Sequence, residues 1–239
     1  MKMHSSLFRS FTLIWASITL LPAVSTSAAT YTTEHVDLSL RYPGVSPQFP
    51  SGWELYFNDK DNNSTAPLAG TVVSVLEDAA ATRPAGSQWD FLGVAAGQPV
   101  FILPQSQDAT LVFLGIGAEQ VTPGSVTGSM QLSLASVTGP GQFSLYQASG
   151  QTLIVSMASA NGITSADSVG VPINSHIHYN WAFTAPGEYT LGFRINGTPT
   201  SVGQPVLSEV FNVQFSVVPE PGLFSLLAGA GVLALRRKR

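Results

Sequence analysis

Tyr189-Thr190-Leu191-Gly192-Phe193-Arg194-Ile195 sets an apolar residue at every second position, and Phe211-Asn212-Val213-Gln214-Phe215-Ser216-Val217 repeats the pattern. A period of two sends alternate side chains to opposite faces of an extended chain, so each run reads as a strand with one apolar and one polar face. Met130, Leu132 and Leu134 alternate in the same way with Ser129, Gln131 and Ser133. Pro123-Gly124, Gly139-Pro140-Gly141, Ser149-Gly150, Asn161-Gly162 and Pro186-Gly187 supply turns between such runs. The expected fold is all-β, an antiparallel β-sandwich over residues 30–217. The stretch from Glu77 to Gly97 is less regular and reads as a covering loop or a short helix.

Charged residues make up only 10% of the 239-residue chain, so Ser, Thr, Asn, Gln and Gly must wet much of the surface, as in secreted β proteins. Between the ends stand four basic residues (Arg41, Lys60, Arg83, Arg194) against thirteen acidic ones, a formal charge of −9. That balance excludes nucleic acid as a partner, because phosphate binding needs clustered Lys and Arg. Cysteine is absent, which excludes disulfides, thiolate metal sites and Cys nucleophiles.

The two ends read as processing segments. Residues 1–29 fit a signal peptide: Lys2 and Arg9 lead, Phe11 to Leu21 is mainly apolar, and Ser27-Ala28-Ala29 offers small residues for cleavage at Ala29. The apolar run is shorter than the roughly 20 residues that span a bilayer, which argues against a membrane anchor there. Residues 218–239 hold Val218-Pro219-Glu220-Pro221, an apolar run from Leu223 to Leu235 that reads as a short membrane helix, and Arg236-Arg237-Lys238-Arg239. The basic end acts as a stop on the cytoplasmic side. An ordinary tail anchor is the other reading of this segment.

Two segments carry the three histidines that remain after signal removal: His35-Val36-Asp37 and His176-Ile177-His178-Tyr179-Asn180-Trp181-Ala182-Phe183. Alternation puts His35 and Asp37 on one strand face, and His176, His178 and Asn180 opposite the apolar Ile177, Tyr179, Trp181 and Phe183. Three imidazoles and one carboxylate make a tetrahedral donor set for Zn²⁺ or another divalent metal if the two strands adjoin. A structural role, with the histidines bonded to loop carbonyls or to one another, is the competing reading. Asp59 and Asp61 lie in a polar loop without the Gly and distal Glu of a calcium loop, and read as a solvated turn.

The tail resembles the PEP-CTERM sorting signal of Gram-negative bacteria, which implies processing by signal peptidase and an exosortase. Glu34-His35-Val36-Asp37, Thr82-Arg83-Pro84, Phe91-Leu92-Gly93-Val94, Leu103-Pro104-Gln105, Phe113-Leu114-Gly115, Gly139-Pro140-Gly141-Gln142-Phe143-Ser144-Leu145 and the His176 to Gly187 segment follow in order. Over about Thr33 to Gly197 the chain resembles the choice-of-anchor M, or surface-anchored, protein family. Members join one extracellular domain to different anchoring tails. The resemblance implies export, tethering to the inner membrane during sorting, then residence at the cell surface, outer membrane or extracellular matrix, beside exopolysaccharide or other surface proteins. It carries over no settled biochemical activity, and the expected role is non-catalytic.

Three function classes follow: a non-catalytic surface or matrix protein, a divalent-metal-binding surface module using His35, Asp37, His176 and His178, and a secreted carbohydrate-binding protein or hydrolase. The third rests on Trp53, Trp89 and Trp181 as stacking surfaces for sugars, and the alternation assigns Trp181 to the core instead. No Gly-x-Ser-x-Gly elbow is present.

Overall fold

The computed structural model describes residues 29–150 and 152–218. The expected signal peptide up to Ala28, and the sorting tail from Pro219 onward, lie outside the described residues. Ala29 and Val218 stand at the margins, where the Ala29 carbonyl accepts from Val72 N–H at 2.9 Å and Val218 N–H donates to Val75 O at 2.9 Å. Among the described residues no helix is long and apolar enough to cross a membrane.

In chain order the strands are β1 (Thr30–Tyr31), β2 (His35–Arg41), β3 (Glu54–Asp59), β4 (Ser64–Pro67), β5 (Val72–Val75) and β6 (Ala80–Thr82). They continue with β7 (Pro99–Leu103), β8 (Phe113–Gly117), β9 (Val126–Thr138), β10 (Phe143–Ser149), β11 (Thr152–Ala158) and β12 (Ser168–Val171). The last are β13 (His176–His178), β14 (Asn180–Phe183), β15 (Gly187–Pro199), β16 (Val206–Leu207) and β17 (Phe211–Val217). The all-β expectation holds. The less regular stretch contains two short 3₁₀ segments, Glu77–Ala79 and Ser87–Leu92, around β6.

The strands form three sheets: β1-β5-β17-β15-β9-β12 with β16 on β15, then β11-β10-β14-β7-β6, then β13-β8-β2-β3-β4. The three runs that decided the fold lie side by side as β17, β15 and β9. Leu191 sits opposite Val213, Tyr189 opposite Phe215, Phe193 opposite Leu134 and Ile195 opposite Leu132, all with their side chains buried. The alternation in β9 breaks after Leu134, where the β15 register shifts between Gly192 and Phe193. A bulge of this kind takes up one extra residue without turning the strand over.

The antiparallel expectation needs correction, because the sheets are mixed. β1 with β5, β5 with β17, and β2 with β8 pair in parallel. Alternation fixes which face a residue takes and carries no information on strand direction, so it does not distinguish the two pairings. The large sheet lays its apolar face on both smaller ones: Trp181 and Phe183 meet Phe215 at ring-centroid distances of 5.8 and 5.1 Å, and Tyr31 meets Phe57 at 5.4 Å. β13 and β14 are separated only by Tyr179, so one segment passes from the third sheet into the second.

Candidate metal centre

β8 is the strand that builds the site. It pairs in parallel with β2 on one side and antiparallel with β13 on the other. The register sets Asp37 beside Gly115 and Gly115 beside His178, with His35 opposite Phe113 and His176 opposite Gly117. Val36, Leu38, Leu114 and Ile116 are buried in the core below. The intervening residues (His35, Asp37, Phe113, Gly115, Gly117, His176 and His178) therefore share the opposite face.

Gly115 and Gly117 leave the space that the flanking side chains occupy. A Cβ on Gly115 would collide with Asp37 Oδ1 and stand 3.0 Å from His178 Cε1. One on Gly117 would stand 3.3 Å from Asp37 Oδ2. Phe113 adds an orienting surface, its ring stacked on that of His178 at 3.5 Å and 1°.

The structure thus brings the three histidines singled out from the sequence into one group, while Asp37 stands beside it in a second group that shares His176. Ring centroids of His35 and His178 are 5.0 Å apart, those of His176 and His178 5.5 Å, and those of His35 and His176 6.0 Å. One nitrogen from each ring lies within 4.8 Å of the others. Three points so spaced fall within about 2.8 Å of a common centre, close to the roughly 2.0–2.1 Å of Zn–N bonds.

Several of the donor atoms also lack a hydrogen-bond partner. His35 Nε2 and both oxygens of Asp37 are buried without a hydrogen bond, and the buried ring nitrogens of His178 have no well-aligned one, only the backbone of Leu114 nearby. Asp37 is fully buried, its Oδ1 3.8 Å from His35 Nε2 and its Oδ2 3.2 Å from Lys60 Nζ, an ion pair without an aligned hydrogen bond. A buried polar atom left unpaired costs about 1–3 kcal/mol, and here several lie on one face.

Burial raises the carboxyl of Asp37 above the usual range, with Lys60, His176 and His35 only partly opposing it. Burial, aided by the neighbouring imidazoles of His35 and His176, lowers His178 to about 4. That ring is therefore neutral at physiological pH, the form that binds metal.

Two participants were not foreseen. Glu119, two residues beyond β8, accepts from Lys60 Nζ and lies 3.0 Å from His176 Nδ1. The hydrogen bond from Lys60 holds its carboxyl below the usual range despite some burial, so Glu119 is ionised and His176 Nδ1–H donates to it. A carboxylate held against one nitrogen of an imidazole fixes the orientation of the ring. Burial works against the ammonium of Lys60, but Glu119 and Asp37 together raise it above its ordinary value. No spacing motif marks either residue. The sequence signal is Gly115-Ile116-Gly117, two glycines on one face of a strand whose other face is apolar.

Other expectations resolve differently. Asp59 is buried and its carboxylate accepts from the N–H groups of Asp61 and Asn62 and from Asn62 Nδ2, so it serves as the cap of a turn. Asp61 accepts from His35 N–H at 2.9 Å and fixes the entry to β2. Asn180 leaves the histidine face and exchanges hydrogen bonds with Gln105. Trp53 and Trp181 are core residues whose indole N–H groups donate to Val206 O and Leu114 O, so neither presents a face to a sugar. Trp89 is half-buried against Phe91 and Tyr146 and lines a surface cavity of about 410 Å³ with Gln88, Gly150 and Leu153.

No protein-family model matches the chain, and neither the curated proteins nor the solved structures contain a significant match to it.

Proposed function

We propose that this chain is an exported, non-catalytic surface or matrix protein whose β-sandwich domain binds a divalent transition metal. The observation that carries the metal reading is the convergence of His35, His176 and His178 on one point beside the buried, unpartnered Oδ1 of Asp37. Three imidazoles favour Zn²⁺, Cu²⁺, Ni²⁺ or Co²⁺ over Mg²⁺ and Ca²⁺, which take oxygen ligands. His35 and His176 keep 22% and 39% of their side-chain surface exposed, so an ion has a path from solvent.

The delivery route in this reading comes from the ends of the chain: a signal peptide cleaved near Ala29, and a PEP-CTERM-like tail from Val218 to Arg239 handled by an exosortase. The resemblance to choice-of-anchor M proteins supports the same route. Recovery of the full-length polypeptide from the cytosol, with both ends intact, would refute export.

Calorimetric titration of metal-stripped, folded protein tests the metal reading. The expected result is one Zn²⁺ per chain, with binding abolished in the His176→Ala/His178→Ala double variant. A stripped protein with native circular dichroism and no heat of Zn²⁺ binding overturns it.

A further inference from the structure

The metal-binding face already holds a cation that belongs to the chain. Lys60 Nζ lies 3.2 Å from Asp37 Oδ2 and is hydrogen-bonded to Glu119. Asp37, Glu119 and His176 form a second group whose ligand atoms lie within 4.8 Å of one another, and it shares His176 with the three-imidazole group. The face therefore has an oxygen-rich half and a nitrogen-rich half. The ammonium fills the first. The second is open.

Hard cations such as Mn²⁺, Ca²⁺ and Mg²⁺ depend on carboxylate oxygens, whereas borderline ions such as Zn²⁺ are held well by imidazole. A fixed positive charge between the two carboxylates takes away the ligands that hard cations need. It costs an imidazole-bound ion less, since that ion relies on the carboxylates for at most one donor.

Building on the metal reading above, we infer that Lys60 is a specificity-determining residue, a resident cation that occupies the carboxylate half and reserves the centre for imidazole-seeking metals. Lys60 Nζ pairs with the two carboxylates, so it acts through Asp37 and Glu119. Its main-chain N–H donates to His35 O at 2.8 Å, a bond that side-chain substitution retains.

Lys60→Met and Lys60→Gln remove the charge with different side chains, and Lys60→Arg keeps it. Mn²⁺ affinity is measured by electron paramagnetic resonance of the free ion, and Zn²⁺ affinity by competition with a chromophoric chelator. Both are measured on the full chain at one pH, with circular dichroism to confirm folding. The expected result is that either neutral variant gains about tenfold or more in Mn²⁺ affinity relative to Zn²⁺, and that Lys60→Arg keeps the wild-type ratio. Adding Glu119→Gln to Lys60→Met should reverse most of the gain. If wild type binds Zn²⁺ and the ratio in the folded neutral variants stays within about threefold of it, the inference is overturned and the metal reading stands. If no variant and no wild-type sample takes up Zn²⁺, the metal reading falls and takes this inference with it.

Discussion

Gly115→Ala should separate packing from chain entropy at the proposed centre. On an exposed strand, replacing Gly by Ala stabilises by about 0.4–1 kcal/mol, because the unfolded chain loses freedom. Gly170 in β12 supplies that reference, since a Cβ there has nothing within 4 Å. At Gly115 the same methyl collides with Asp37 Oδ1 and crowds His178 Cε1 at 3.0 Å. Asp37 is fully buried and has little room to retreat. Overpacking of this kind costs about 1–3 kcal/mol, which leaves Gly115→Ala destabilised by about 1–2 kcal/mol after the entropic gain. At roughly 2–4 °C per kcal/mol for a domain of this size, Tm should fall by about 2–8 °C, while Gly170→Ala holds or rises slightly. Urea unfolding, with m unchanged and the midpoint lowered, checks the stability arm. Zn²⁺ affinity should fall at least tenfold (about 1.4 kcal/mol), because two donors are displaced together. A Gly115→Ala protein as stable as Gly170→Ala, with wild-type Zn²⁺ affinity, would refute the packing reasoning.

Two further outcomes follow from the same geometry. His178 titrates at about 4 when folded and near 6.5 when unfolded, so its contribution to stability is complete above about pH 6.5 and is lost as pH falls toward 4. The difference between urea midpoints of metal-free wild type and His178→Phe should therefore shrink across that window, and a flat difference would exclude the assignment. Comparing the two proteins also separates His178 from Asp37, whose raised pKa acts in the opposite sense. Trp181→Phe removes the indole N–H that Leu114 O accepts at 3.2 Å and leaves that carbonyl buried, so thermal unfolding should show a loss of about 2–4 kcal/mol. An unchanged Tm would mean that β8 does not depend on this bond.

Strand faces were legible in the sequence because burial writes itself into a period of two. The core sides of β9, β15 and β17 were read correctly, and the same parity placed His35 with Asp37 and His176 with His178. Strand order was not legible. β2 reaches β13 only through β8, by a parallel pairing on one side and an antiparallel one on the other, and neither direction nor register appears in a two-residue period. Lys60 and Glu119 escaped notice because each is a single charge at a strand end, given meaning only by what stands across from it. Trp53 illustrates the converse limit. Its neighbours Gly52 and Glu54 mark no apolar face, yet it is fully buried against Tyr42 with its N–H satisfied by Val206, far along the chain.

The parallel union of β2 with β8, closed by β13, has a consequence for when the centre comes into being. His35 and His176 stand about 140 residues apart in the chain, and contacts between such distant segments form late, after the entropy of closing long loops has been overcome. A nascent or partly translocated chain carries His35 and Asp37 without the strand that brings the other two rings, so it offers an incoming ion a fragment of the donor set. Loading of the proposed centre would have to wait until the whole domain has folded. Under the export route proposed above, that moment would fall outside the cytoplasm, and the supply there would set the ion acquired.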